Sequence, residues 1–205
     1  MSNMIPNPEA YFREFIPPRD EFLKSLEKEA EKEGIPIIGP VVGEFLYIIA
    51  RAMGARMILE LGTATGYSAI YLARACALTG GHLVTMEWDQ EMAQRARKNL
   101  DKIGIGELVE VVTGDALKQI SSMDGPFDLI FLDLDKEYYA GALPHCHRLL
   151  RVGGLLFTDN VGFRASDAFN REIFSRKEWR VVKLFSFLPD HSPEKDGLSL
   201  ALRVQ

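Results

Sequence analysis

The chain has 205 residues, 47% of them hydrophobic, with a net charge of −5, which suits one domain with a full core and leaves a second domain cramped. Apart from the mixed stretch 27–33 it has no run of five or six like charges, so nothing in it attracts a phosphate backbone and a nucleic-acid partner is disfavoured. No stretch approaches about 18 consecutive apolar residues and the opening MSNMIPNPEAYF has no basic region followed by an apolar one, so neither a membrane span nor a secretory signal is expected.

Pro6, Pro8, Pro17 and Pro18 punctuate a short N-terminal segment, and a charged helix over about 19–33 then ends at Gly34. Residues 1–35 thus read as a helical extension of a single domain spanning 1–205. Within 42–53, Phe45, Leu46, Ile48, Ile49 and Met53 recur at a helical period that Gly54 closes. An alternation follows. Strands near 57–61, 82–86, 108–112, 127–132 and 153–157 are separated by helical stretches near 66–79, 89–103, 115–121 and 137–150. This order predicts an α/β fold with a parallel sheet and helices on both faces. A helix near 167–176 precedes strands near 180–187 and 198–204, joined by the Pro- and charge-rich loop 189–197; the two strands fit an antiparallel hairpin at one edge. Cys76 and Cys146 are the two cysteines, and they fit reduced thiols in a cytoplasmic protein better than a disulfide scaffold.

Four strand ends carry chemistry, where open α/β sheets bind their ligands. The first is MILELGTATGYS at 57–68, a buried strand running into a glycine turn and a helix start. Gly62 and Gly66 bracket a turn that needs small or positive-φ residues, and backbone N–H groups with a helix N-terminus face the ligand. Glu60 adds a negative charge that repels a phosphate, so the ligand is expected to carry positive charge. The second is Glu87, about 20 residues beyond Gly66, where an acid reaches a ribose diol. The turn GTATG lacks the GxGxxG form, which disfavours NAD. The third is Asp115, placed either to accept from an adenine amino group or to cap the next helix.

The fourth site combines FLDLDK at 131–136 with TDN at 158–160, on adjacent strand ends. Asp133, Asp159 and Asn160 supply hard oxygen ligands of the sort Mg²⁺, Mn²⁺ or Ca²⁺ prefer, with room for water or a chelating substrate. The alternative is a polar turn at 159–160, with Lys136 neutralising the acids of strand four. Tyr138, Tyr139, Phe163, Arg164 and His191 are candidates for the pocket wall, for core or for surface. Trp88 either stacks against adenine or packs at the surface. His145 and His147, two residues apart in a helical stretch, share no face and make no metal site.

These motifs together resemble the S-adenosylmethionine (SAM)-dependent, cation-dependent O-methyltransferases of the caffeoyl-CoA and catechol type, with their bacterial relatives. The resemblance runs from about 36 to 201 through IPIIGPVVGEFL, ELGTATGYSA, MEWD, GDA, FLDLDKEYY, LLRVGGLLFTDN and DGLSLA. The pair DLDK with DN is far more specific than the glycine turn. The resemblance implies a Rossmann-like class I methyltransferase fold, a seven-stranded, mostly parallel sheet with helices on both faces whose last strand runs antiparallel. Matching positions imply that Glu60, Gly62 and Ser68 hold the amino acid part of the cofactor, Glu87 the ribose hydroxyls, and Asp115 with Ala116 the adenine. They also imply Asp133, Asp159 and Asn160 as ligands of a divalent cation, foremost Mg²⁺, with Asp133 touching the cofactor as well and Lys136 as general base. The implied reaction methylates a hydroxyl of a small catechol-like acceptor, and the implied assembly is a homodimer. Two departures bear on the acceptor. The segment between Asn160 and Arg180 is shorter than in the plant enzymes, and residues 1–35 match only loosely. Two other readings are an O-methyltransferase acting on a hydroxylated tRNA uridine and a non-catalytic SAM-binding module.

Overall fold

The computed structural model describes residues 4–205, so the first three residues of the expected extension lie outside the described residues. The extension is helical in two pieces. Helix α1 (Pro8–Arg13) starts with proline at its first position, where the missing N–H costs nothing, and Asn7 caps it by accepting from the Ala10 N–H at 3.2 Å. Helix α2 (Glu21–Glu33) is capped by Asp20, which accepts from the Leu23 N–H at 2.9 Å, and ends at Gly34 in the left-handed conformation. Its Leu23, Leu26 and Ala30 recur at three- and four-residue steps and are buried. Helix α3 (Gly39–Ala52) begins three residues earlier than its apolar period suggests, because Pro40 is preset for a first turn.

From there strands and helices alternate as expected: β1 (Met57–Leu61), α4 (Tyr67–Thr79), β2 (His82–Glu87), α5 (Gln90–Lys102), β3 (Val109–Thr113), α6 (Ala116–Ser122), β4 (Phe127–Leu132), α7 (Tyr139–Leu149), β5 (Leu150–Thr158) and α8 (Asp167–Ser175). The hairpin β6 (Trp179–Phe187) and β7 (Lys195–Arg203) closes the chain. The seven strands lie in the order β3-β2-β1-β4-β5-β7-β6. The first five pair in parallel, and β7 runs antiparallel to both β5 and β6. Two boundaries depart from expectation for one reason. Pairing of Phe127 with Leu150 draws β5 back into the expected helix end, and pairing of Phe187 with Lys195 draws β7 into the expected loop. Ladder hydrogen bonds outweigh the local glycine and charge signals there.

Strand alternation sorts the core into two layers. Ile58, Leu83, Leu129, Phe131 and Phe157 face α3 and α4, packing on Val42, Leu46, Ile70 and Tyr71. Leu59, Leu61, Ile130, Leu132 and Leu156 face α6, α7 and α8, packing on Ile120, Leu143, Phe169 and Ile173. Each such fully buried Leu, Ile or Phe stabilises the fold by about 1.5–3 kcal/mol. Cys76 sits in the first layer and Cys146 in the second, so the sheet separates them; both are free, and burial pushes each thiol up to about 12. No described helix is long and apolar enough to cross a membrane.

Register fixes where the loops meet. Leu61 pairs with Leu132 and with Met86, and Leu132 pairs with Thr158. The residues just past these positions, Gly62, Glu87, Asp133 and Asp159, therefore stand side by side along the carboxyl edge of the sheet.

Candidate active site

A cavity of about 570 Å³ opens at that edge, within the usual range for a small-molecule site. Its wall includes the expected Gly62, Ser68, Glu87, Asp115, Ala116, Asp133, Lys136, Asp159 and Asn160. Glu60 is the exception: it is fully buried behind the wall.

The glycine turn is shaped by contact as much as by φ. Gly62 has φ +101, and a Cβ there would lie 2.0 Å from the Asp133 carbonyl oxygen, so only glycine lets β1 and β4 release their chains this close together. Gly66, at φ +88, starts α4 and faces Ala96 of α5. Between them Ala64 holds φ +46, an uncommon conformation for a non-glycine residue. Glu87 stabilises it: Oε2 accepts from the Ala64 N–H at 2.7 Å and the Thr63 N–H at 3.3 Å, while Oε1 accepts from the Asp89 N–H at 2.9 Å. With about four accepting positions on a carboxylate, roughly one remains for a ribose hydroxyl. Behind the turn, the Thr63 hydroxyl bonds Thr85, which donates to Glu60 Oε2. Among the described residues Glu60 Oε1 has no hydrogen-bond partner. Burial pushes the Glu60 carboxyl up to about 8, the Ser68 and Thr85 hydroxyls offsetting only part, and the charges of Asp133 and Glu87 add to the rise. A buried carboxyl oxygen without a hydrogen-bond partner suits a ligand that brings a cationic group, and the turn's own N–H groups are largely spent on Glu87 and on neighbouring carbonyls.

Asp115 performs the capping role, its Oδ1 accepting from the Lys118 N–H at 3.2 Å, and it also lines the cavity beside Ala116. Both sequence alternatives for this residue are thus compatible with its place.

The acids of β4 and β5 meet as the register requires. Burial and the charge of Asp159 push the Asp133 carboxyl up to about 6, against the opposing pull of Lys136, whose Nζ donates to Asp133 Oδ1 at 3.3 Å. Asp159 Oδ1 accepts from the Asn160 N–H at 2.8 Å, and Asp159 Oδ2 faces His191 Nε2 at 2.9 Å. His191 Nδ1 lies 2.6 Å from the Pro193 carbonyl oxygen, so both ring nitrogens face acceptors. Burial alone lowers the pKa of His191, but the bond to Asp159, its charge, Pro193 and Asp196 outweigh it and raise the pKa above the ordinary value. Asn160 takes φ +50, which asparagine tolerates, and its Nδ2 donates to Asp196 Oδ2 at 2.6 Å. Asp196 Oδ1 is held by the N–H groups of Gly162 at 3.0 Å and Gly197 at 2.6 Å. With its amide nitrogen committed, Asn160 offers Oδ1 as its free acceptor.

Among the described residues no three His, Cys, Asp or Glu side chains form a ready metal cluster; the cation-facing set is two carboxylates and one amide. That set fits a hard divalent ion. Two neighbouring acids, one of them raised to about 6 chiefly by burial and further by the other's charge, are relieved by positive charge, and the three oxygens are of the type Mg²⁺ and Mn²⁺ prefer.

Of the further wall candidates, Tyr138, His191 and Trp88 line the cavity, Trp88 with 80% of its surface exposed. Tyr139 is core, donating its hydroxyl to the Asp159 carbonyl at 3.1 Å, whereas Phe163 and Arg164 lie off the wall. His147 bonds the Gln205 carbonyl and packs on Trp179, away from the cavity. Sequence reasoning missed Pro36, Ile37, Ile38, Leu117 and Ser192 as wall residues and gave Asp196 no role. Pairing of the acids with a loop some thirty residues downstream leaves no local pattern to read.

A mostly parallel sheet with a β1 glycine turn, an acid after β2 and a cavity at the switch point define a Rossmann-like fold with a nucleotide-type cofactor site. Residues 16–189 match the model of the O-methyltransferase family. A catechol O-methyltransferase of Niastella koreensis is 37% identical over 157 residues, covering 74% of this chain and 71% of that one. Among solved structures, the O-methyltransferase TomG of Streptomyces achromogenes, in complex with SAM, aligns at TM-score 0.86 and 28% identity over 97% of this chain and 96% of that one. An O-methyltransferase of Bacillus cereus with SAH bound aligns at TM-score 0.84 and 29% identity over 96% of each chain. The chain belongs to the SAM-dependent O-methyltransferase family.

Proposed function

We propose that the protein transfers the methyl group of SAM to one hydroxyl of a small acceptor with vicinal hydroxyls, with a divalent cation held by Asp133, Asp159 and Asn160. The observation that carries this reading is the paired acids of β4 and β5 facing the same cavity as the glycine turn. Glu60, buried with one oxygen unpartnered, holds the cationic amino acid end of SAM through the turn; Gly62 and Ser68 shape that end, Glu87 takes the ribose, and Asp115 with Ala116 the adenine. A divalent ion held by Asp133, Asp159 and Asn160 would supply Lewis-acid stabilisation of the acceptor's anion. Lys136, whose Nζ lies 3.3 Å from Asp133 Oδ1 at the cavity wall, is the base in this reading: as the neutral amine, its own proton released to solvent, it would take the proton of the acceptor hydroxyl. Positioning of donor and acceptor in one cavity supplies as much as about 7–11 kcal/mol in favourable cases.

The test is product analysis by mass spectrometry with catechol, phenol and a 1,2-diol-free aromatic as acceptors. Catechol should gain a single methyl group while the others stay unmodified; equal methylation of phenol would remove the need for chelation. The proposed assembly is a homodimer, which fits the exposure of Phe12 on α1, Phe15 just after it, and Val182 and Phe185 on β6. Light scattering should give twice the chain mass, and a monomer at micromolar concentration would contradict it.

A further inference from the structure

His191 has no part in the chemistry above, yet its placement is tightly specified. Its side chain is 1% exposed at the cavity edge, on the turn between β6 and β7, thirty-two residues from the Asp159 carboxylate that it faces. The ring is gripped from behind by the Pro193 carbonyl, and the His191 backbone N–H donates to the Leu188 carbonyl at 3.1 Å. The turn and the start of β7 are tied to the N-terminal segment: Arg19, between α1 and α2, pairs with Asp190 at 3.5 Å, Arg13 of α1 pairs with Glu194, and Lys195 with Glu9 of α1 at 2.7 Å. Gly39, where a Cβ would lie 2.6 Å from the Asp190 carbonyl, lets α3 pack against it.

We propose that His191 is a positioning residue for the divalent-cation site: it fixes the plane of the Asp159 carboxylate, so that each oxygen keeps one lone pair aimed into the cavity. This rests on the metal reading above. The carboxylate has two anchors on opposite oxygens, the Asn160 N–H on Oδ1 and His191 Nε2 on Oδ2. A carboxylate offers about four accepting positions, so two anchors leave both oxygens able to bind an ion. Without His191 the side chain rotates on a single anchor, and ordering it again costs affinity. Partners that orient a metal ligand are worth about 10–100-fold in metal affinity.

The test is calorimetric titration of the full chain with Mn²⁺ in the presence of saturating SAH, for the natural sequence, His191→Leu and His191→Gln. Leucine keeps the apolar bulk and removes the donor; glutamine returns an N–H near the Nε2 position. The expected result is Mn²⁺ binding weaker by about 10–100-fold in His191→Leu, largely restored in His191→Gln, with SAH affinity unchanged in both and the melting temperature lowered in His191→Leu because Asp159 loses a buried donor. Natural-like Mn²⁺ affinity in a folded His191→Leu protein overturns the proposal and leaves the metal reading standing. Equal losses of Mn²⁺ and SAH affinity overturn it as well, since they mark a general disturbance. If the natural chain itself binds no Mn²⁺, the metal reading falls first and the role of His191 with it.

Discussion

At the scale of single residues, the site consists of groups that the fold holds in an unfavourable state until ligands arrive. Glu60 and Asp133 are raised from 4.5 and 3.8 to about 8 and about 6. A carboxyl raised in the folded state binds its proton more tightly there than when unfolded, so stability is present at low pH and lost as pH climbs through the window between the two values. His191, also raised above its ordinary value, works in the same direction. The ligand-free protein should therefore be less stable at pH 8.5 than at pH 5.5, measured as a fall in the urea midpoint. With each unit worth about 1.4 kcal/mol, Glu60 dominates at a few kcal/mol. Glu60→Gln should remove most of that dependence and weaken SAM binding at least about tenfold; a pH profile unchanged by the substitution would exclude Glu60 as its source. Gly62→Ala forces a Cβ against the Asp133 carbonyl and a side chain at φ +101, so SAM binding should be lost with a stability cost of about 2 kcal/mol or more.

Elements carry these residues by register, and the two ends of the sheet divide the work. At the carboxyl ends lie the cofactor turn and the acids; at the amino ends Asp128 acts as a structural tie. Its Oδ2 accepts from the N–H groups of Arg56 at 2.8 Å and Met57 at 3.0 Å, and its Oδ1 pairs with Arg151 at 2.6 Å, joining the starts of β1, β4 and β5. Burial acts to raise its pKa, but the Arg151 and backbone bonds win and hold it below the ordinary value, so its contribution is present above about pH 4 and lost on acidification. Asp128→Ala should cost about 1–3 kcal/mol in chemical denaturation and leave SAM affinity unchanged; a comparable loss of SAM affinity would show that the two ends are coupled. The alternation of apolar runs with helical periods was enough to place all seven strands, because a buried parallel strand and an amphipathic helix have distinct periodicities. The starts of β5 and β7 were not legible. Leu150 and Lys195 are extended only because Phe127 and Phe187 pair with them, and pairing across the sheet has no local signature.

For the whole molecule, the topology brings a cofactor turn at 62–68 and an acid pair at 133 and 159 to one cavity, and most of that site was legible in the sequence as short motifs at strand ends. What was hidden is the support: Asp196 orienting the Asn160 amide and His191 facing Asp159 both come from the β6–β7 turn, far along the chain. The position of Glu60 was also hidden. Its sequence place beside the turn suggested a wall residue, but strand alternation points it to the α3 and α4 side, where it is fully buried. The central claim is that methyl transfer at this cavity runs through a cation held by the acid pair. The most direct measurement is the rate of catechol methylation by protein stripped with EDTA, before and after Mg²⁺ is returned. The expected result is loss of turnover on stripping, full recovery with Mg²⁺, and no recovery in Asp159→Ala that still binds SAM. Undiminished turnover in the stripped protein would contradict the account.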